Sequence, residues 1–303
     1  MTVNYLKQAQ ELALPSREEM LLRSSSVEQF WSSNSKLLEL AWAEWDEQQS
    51  MDLVALGNEL LDERLMVAVQ NAWRNPNTEQ RVRALWEEVT PNVYTCQFFN
   101  PEKLTLLRNF LESAWDAKIP MRPPYGIVLN RGGAMLDPRS SGYLAAPSFQ
   151  TFYRTLIDLY MRPIARMLFP EIMGYDSQSF GFSIKYQPTT DTSIRPHTDA
   201  SSVTLNINLN LPDESFTGSS VDFFDTSTKE TKSLMFAPGS AMIHRGSVPH
   251  TALPITSGER TNFVLWLFGE RGSVARGLKS DARVDASARW ILERPKQDNF
   301  APF

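Results

Sequence analysis

Only three histidines occur among the 303 residues, and two of them stand in the arrangement His197-x-Asp199 … His250, with Arg260 ten residues beyond. Two imidazoles and one carboxylate can hold one face of a non-haem Fe(II) and leave its remaining positions open for substrate and O2. In an extended segment, residues two apart point to the same side, so His197 and Asp199 can chelate one ion together. His250 must then arrive from a distant strand. A single His-x-Asp is weak, and each histidine seen alone is better explained as a hydrogen-bonded core or surface residue. Its company shifts that balance. Arg260 opens the stretch RTNFVLWLF, which would carry the guanidinium inward, and a buried arginine needs an anionic partner. Its planar fork suits a carboxylate, and a dicarboxylate cosubstrate bound to the metal at one end would present one at the other.

Neighbouring residues extend the site. The stretch VTLNINLN alternates strictly, with Val203, Leu205, Ile207 and Leu209 on one face and Thr204, Asn206, Asn208 and Asn210 on the other. An ordinary half-buried strand alternates in the same way. Here the polar face follows two candidate ligands, and Asn206 is the side chain expected to hydrogen-bond a bound carboxylate. By the same parity Asn262, Val264 and Trp266 share the face of Arg260, which makes Trp266 a pocket wall.

These residues need a frame. From Val3 to about Val89 the apolar spacing is helical, with Ser26 and Asn77 as expected N-caps. VYTCQFF reads as a strand, and residues 101–117 and 148–170 read as helices, the second kinked or divided at Pro163. Between them lies a Pro-, Gly- and Ser-rich loop around one short strand, YGIVLN. From Ser177 onward short strands dominate: SFGFSIKY, VTLNINLN, VDFFD, KSLMF, SAMIH and NFVLWLF. A last helix is expected in VDASARWILERP. The fold class is α+β: a β-sandwich or a jelly roll (double-stranded β-helix) flanked by helices. Its expected parts are an N-terminal helical segment (1–90), the jelly-roll oxygenase domain with supporting helices (91–272), and a C-terminal helix and tail (273–303).

Composition narrows the function. Hydrophobic residues make up 42%, aromatic 11% and charged 21%, the balance of a globular chain. With net charge −5 and no dense Lys/Arg run, a nucleic-acid partner is not expected. Cys96 is the only cysteine, which suits a reducing compartment. No leader-like start or membrane-length apolar run is visible, so the expectation is a soluble cytoplasmic protein.

The stretches KYQPTTDTSIRPHTDASSVTLNINLN and AMIHRGSVPHTALPITSGERTNFVLW resemble the Fe(II)/2-oxoglutarate-dependent dioxygenase superfamily, in its prolyl and lysyl hydroxylase-like branch. The first is similar to procollagen lysyl hydroxylases, the second to 2-oxoglutarate and iron-dependent oxygenase domain-containing proteins. The resemblance covers roughly residues 92–270. It implies His197, Asp199 and His250 as iron ligands and Arg260 as anchor of the distal carboxylate of 2-oxoglutarate, with Tyr186 and Asn206 touching that cosubstrate. Many relatives have Ser or Thr where this chain has Asn262, which can still donate a hydrogen bond. His244 is expected to support the site rather than ligate. The implied cofactors are Fe(II), 2-oxoglutarate and O2. The implied reaction oxidises an unactivated C–H bond, by hydroxylation, cyclisation or desaturation, with release of succinate and CO2.

Arg122, Tyr125, Arg131, Arg195, Arg245 and Trp266 are candidate substrate contacts, and the arginines point to an acidic or amino-acid-derived metabolite. The alternative is an intracellular protein prolyl or lysyl hydroxylase whose helical N-terminus docks the substrate. A catalytically silent jelly-roll binding protein would be expected to lack a ligand or the arginine. A zinc hydrolase would give Arg260 no dicarboxylate to hold.

Overall fold

The computed structural model describes residues 4–22, 24–124, 132–275, 285–292, 298 and 300–302. The expected strand YGIVLN and the candidates Tyr125 and Arg131 lie outside the described residues.

The N-terminal segment is helical through α1 (Tyr5–Gln10), α2 (Arg17–Leu22), α3 (Ser25–Glu47), α4 (Met51–Val54), α5 (Glu63–Arg74) and α6 (Gln80–Arg83). In α3 the residues Trp31, Leu38, Ala41, Trp42 and Trp45 are buried, an apolar stripe at three- and four-residue spacing. Asp62 starts α5 by accepting the backbone N–H groups of Arg64 and Leu65. The expected caps shift: α3 begins after Ser24, whose backbone is extended, so Ser26 already lies inside the helix. Asn75, not Asn77, caps the next turn, because its side chain accepts the N–H of Asn77.

The helical pattern also ends earlier than expected. Glu87–Thr90 forms strand β1, which pairs with β2 (Val93–Gln97) through a tight turn where Asn92 has φ 65°. Asparagine tolerates this left-handed conformation better than most residues. Helix α7 (Leu104–Asp116) follows, then α8 (Pro147–Thr155) and α9 (Arg162–Leu168). A π-helical stretch, Leu156–Met161, joins the last two. Pro163 sits in the first turn of α9, where its missing N–H interrupts the preceding helical ladder.

The remaining strands are β3 (Ala134–Met135), β4 (Gln178–Tyr186), β5 (Ile194–His197), β6 (Val203–Asn208), β7 (Thr217–Gly218), β8 (Val221–Phe224), β9 (Thr231–Leu234), β10 (Ser240–Arg245), β11 (His250–Ala252), β12 (Ile255–Ser257) and β13 (Arg260–Phe268). Pairing is antiparallel, and the larger sheet has the order β1-β2-β10-β6-β13-β4-β3. A second sheet has the order β5-β11-β8-β9. Together with the helices this is a mixed α and β architecture.

Side-chain parity gives the large sheet two different faces. Val203, Leu205 and Ile207 of β6, Ala241 and Ile243 of β10, and Phe263, Leu265 and Leu267 of β13 join one apolar cluster with the helices. Residues from both the N-terminal and the later helices enter this cluster, as in the edge-to-face contact of Trp45 with Phe110. The opposite face carries Thr204, Asn206, His244, Arg260, Val264 and Trp266 into a cavity. Burying one face thus fixes which side chains the other presents. Cys96 is half-buried, and burial first, then Asp62, pushes its thiol up to about 12, which suits an inert packing residue.

The short helix α10 (Ala286–Arg289) is tied to the N-terminal layer by buried Glu79. Glu79 accepts hydrogen bonds from Arg289 and, at 3.0 Å, from the Trp290 indole, and Trp290 packs edge-to-face on Trp73. Glu79→Ala removes both contacts while Arg289 can still reach water. Urea unfolding should show a loss of about 1–3 kcal/mol, with Trp290 emission shifting toward that of an exposed indole. An unchanged midpoint and spectrum would show that the clasp contributes nothing.

Candidate metal and cosubstrate site

His197 ends β5, and His250 begins β11 directly opposite it in the antiparallel register. This pairing puts residues far apart in sequence side by side, with ring centroids 4.3 Å apart. Asp199, two residues after His197, donates its backbone N–H to the Gly246 carbonyl at 2.9 Å, which returns the chain toward β10. One ligand atom from each of His197, Asp199 and His250 lies within 4.8 Å of the others.

The imidazoles are already oriented. His197 Nδ1 donates to the Arg195 carbonyl at 2.8 Å, and His250 Nδ1 donates to that of Val248 at 3.0 Å. With Nδ1 protonated, each Nε2 keeps its lone pair, the arrangement metal-binding histidines require. His197 Nε2 is 3.4 Å from Asp199 Oδ1, and His250 Nε2 is 3.9 Å from Oδ2.

Charge balance agrees. Burial raises the Asp199 carboxyl, but the His197 hydrogen bond, His250, His244 and the Thr204 hydroxyl outweigh it and hold the group at about 2. Burial lowers His197, yet hydrogen bonds to Asp199 and the Arg195 carbonyl produce a net rise. His250 is lowered, chiefly by burial.

His244 is buried beside the site, its ring 4.7 Å from that of His250, and its Nδ1 donates to the Arg245 carbonyl at 2.9 Å. Burial, then His250, pushes it down to about 4 from an ordinary 6.5. A histidine depressed by folding binds its proton first in the unfolded chain. The stability gained by keeping His244 neutral is therefore complete above about pH 6.5 and is lost as pH falls toward 4. In metal-free protein this group should contribute a slope of up to about 1.4 kcal/mol per pH unit across that window. Urea titrations at several pH values check it: His244→Phe should flatten the slope, and an unaltered slope would remove His244 as its source.

Arg260 is 0% exposed, which decides how its charge must be treated. Its Nη1 donates to the Ser219 carbonyl at 2.6 Å, and its plane lies 4.3 Å above the Tyr186 ring and 5.3 Å from that of Phe236. Its Nε and Nη2 have no hydrogen-bond acceptor among the described residues. Burial pushes the guanidinium down from its ordinary value, Tyr186 opposes that, and arginine stays protonated regardless. A buried cation with two unmet donors, in a wall of the cavity that contains the ligand triad, fits the far carboxylate of a metal-chelating dicarboxylate.

The cavity holds about 250 Å³ and brings together His197, Asp199, His250, His244, Arg260, Tyr186, Asn206 and Trp266. Asn262 does not line it. Its Nδ2 donates to Asn206 Oδ1 at 2.7 Å and its Oδ1 accepts from Asn208 at 3.4 Å, so it orients Asn206 from behind. Parity places Thr204 on this face, and its hydroxyl donates to Asp199 at 2.5 Å, a contact that alternation alone does not reveal. Apolar walls come from Phe182, Ile184, Ile194, Val221, Ala252 and Val264.

Three candidate substrate arginines are not brought to the cavity. Arg195 is exposed on β5. Arg245 pairs with Glu171 and lies over the Phe169 ring, because it falls on the opposite face of β10 from His244. Arg122 donates to the Ser141 carbonyl at 2.8 Å, in a loop that approaches Trp31 at Gly142.

Residues 175–269 match the sequence model of the 2OG-Fe(II) oxygenase superfamily. The chain is 30% identical over 221 residues to the 2-oxoglutarate and iron-dependent oxygenase domain-containing protein CP2 of Arabidopsis thaliana, covering 68% of this chain and 52% of that protein. It is 31% identical over 203 residues to the 2-oxoglutarate and iron-dependent oxygenase domain-containing protein 2 of Xenopus tropicalis, covering 63% and 53%. Procollagen-lysine,2-oxoglutarate 5-dioxygenase 1 of Rattus norvegicus is 27% identical over 134 residues, covering 43% of this chain and 18% of that enzyme. The chain spans about half the length of the domain-containing proteins it matches. With the ligand triad and the buried arginine both inside the matched region, residues 175–269 form a domain of the 2OG-Fe(II) oxygenase superfamily, whose members use Fe(II), 2-oxoglutarate and O2.

Proposed function

We propose that this protein is an Fe(II)- and 2-oxoglutarate-dependent oxygenase acting on a C–H bond of a small metabolite. Buried Arg260, with two donors unmet inside the cavity of the ligand triad, carries this reading. His197, Asp199 and His250 hold the metal, and Arg260, Tyr186 and Asn206 receive 2-oxoglutarate, with Asn262 setting the Asn206 amide. Iron, 2-oxoglutarate and O2 supply the oxidant for an unactivated C–H bond, with succinate and CO2 as coproducts. The chain's own task is to orient, and to exclude water: Phe182, Val264 and Trp266 wall the cavity and confine what reaches the metal. The two sheets are taken as the halves of a jelly roll, preceded by the helical segment 1–90 and followed by the tail 273–303. Cytoplasmic placement rests on the single Cys96.

The preference for an acidic substrate loses the support of Arg122, Arg195 and Arg245, which do not line the cavity. The metabolite reading rests instead on the cavity's small volume and apolar walls. A protein prolyl or lysyl side chain is the second reading, favoured by the likeness to a procollagen-lysine dioxygenase. No nucleic-acid partner is proposed, and among the described residues no helix is long and apolar enough to cross a membrane.

Succinate formation tests the reading. The protein should make succinate from 2-oxoglutarate only with Fe(II) and O2, and a true substrate should raise the rate. Stimulation by amino-acid-derived or other small metabolites supports the first reading, stimulation by Lys- or Pro-containing peptides the second. Succinate no higher than in His197→Ala would contradict both.

A further inference from the structure

The two oxygens of Asp199 are held differently. Oδ1 lies 3.4 Å from His197 Nε2. Oδ2 accepts the Thr204 hydroxyl at 2.5 Å and is 3.9 Å from both His244 Nε2 and His250 Nε2. Thr204 has one hydroxyl proton, and with that proton on Asp199 its oxygen can only accept from Ser201, whose Oγ is 2.9 Å away. Both hydroxyl residues are buried, so water does not compete readily for these bonds. Ser201 is itself fixed by backbone: a Cβ at Gly246 would lie 2.0 Å from the Ser201 carbonyl oxygen and 2.5 Å from its Oγ. Gly246 also accepts the Asp199 N–H. The strand carrying His244 and the loop carrying Asp199 are thereby locked together at a glycine.

We propose that Ser201 and Thr204 form a positioning relay that ties up Oδ2 and leaves Oδ1 as the single metal-binding oxygen of Asp199. The inference rests on the reading of His197, Asp199 and His250 as the metal site. A carboxylate free to rotate can offer both oxygens and occupy a position that an exogenous ligand needs. One oxygen held by a buried hydroxyl removes that freedom before the metal arrives, and partners behind ligands commonly tune affinity in this way. Thr204 and Ser201 are positioning residues and do not touch the metal.

Cobalt(II) is the probe, by calorimetric titration and visible absorption of the full chain. Thr204→Val should bind Co(II) about 10–100-fold more weakly than the unaltered protein. Its Co(II) spectrum should change as the carboxylate binding mode relaxes. Thr204→Ser, which keeps the hydroxyl, should restore affinity and spectrum, and Ser201→Ala should give a smaller loss. The metal-free thermal transition of each variant separates positioning from folding. Unchanged Co(II) affinity and spectrum in Thr204→Val would overturn the relay. Should that variant fail to fold, Ser201→Ala with unaltered Co(II) binding, or Thr204→Ser with binding as weak as His197→Ala, would overturn it instead. Co(II) binding that survives in His197→Ala would reject the metal-site reading beneath it.

Discussion

Arg260→Leu is expected to weaken 2-oxoglutarate binding by about 100- to 1,000-fold, with little loss of stability. The two unmet donors of Arg260 can form a forked pair with a carboxylate, and charge-assisted hydrogen bonds contribute about 1.5–3 kcal/mol each. Each 1.4 kcal/mol is a tenfold change in affinity, so that range corresponds to about 3–4 kcal/mol, the lower part of the roughly 3–6 kcal/mol that two such bonds can contribute. Without a bound anion the guanidinium bears the desolvation of its charge, offset among the described residues by the Ser219 carbonyl, by Tyr186 and by the Phe236 ring. Replacing buried charge by packed apolar volume is often neutral or stabilising, so the metal-free melting temperature should hold or rise. Calorimetry of 2-oxoglutarate binding to Mn(II)-loaded protein measures the first effect, and a thermal scan the second. Lysine at this position should recover only part of the affinity, because a point charge lacks the planar fork. Affinity unchanged in Arg260→Leu would mean that another group anchors the cosubstrate.

Asp199→Ala should have the larger effect on turnover, reducing succinate formation to the level without iron. It removes the only anionic member of the triad and the acceptor of the Thr204 hydroxyl. His197, His244 and His250 then face one another without the carboxylate that offsets their charge on protonation. Metal affinity should fall most steeply below neutral pH, since protons compete for the same imidazole lone pairs. Asp199→Glu should not restore the site, because the longer side chain carries its oxygens past Thr204. Iron binding and succinate formation, measured together, check both variants. Activity retained in Asp199→Ala would exclude it as a ligand.

Local pattern made much of this legible in the sequence. Strict alternation in residues 203–210 placed Thr204 and Asn206 opposite the helix-packed Val203, Leu205 and Ile207, and the same parity turned Arg260, Val264 and Trp266 into the cavity. Period-two backbone geometry supports such inferences without knowledge of the rest of the fold. The ligand triad was reachable because His-x-Asp is local and His250 stands just ahead of the strand that opens at Arg260. What failed depended on distant partners. Arg245 neighbours His244 in sequence, yet alternation sends it to the other face, where Glu171 receives it. Arg195 adjoins the ligand pair and still points outward. Strand β1 was hidden within a helical stretch because only its pairing with β2 marks it. Asn262 had the expected parity, but contacts with Asn206 and Asn208 place it one step behind the cavity.

The most direct test of the central claim is the anaerobic visible spectrum of Fe(II)-loaded protein as 2-oxoglutarate is added. A weak charge-transfer band should grow and saturate with one cosubstrate per chain. It should be absent in His197→Ala and require far more 2-oxoglutarate in Arg260→Leu. A well-folded, iron-loaded protein that develops no such band would contradict the assignment of His197, Asp199, His250 and Arg260 to one metal and cosubstrate site.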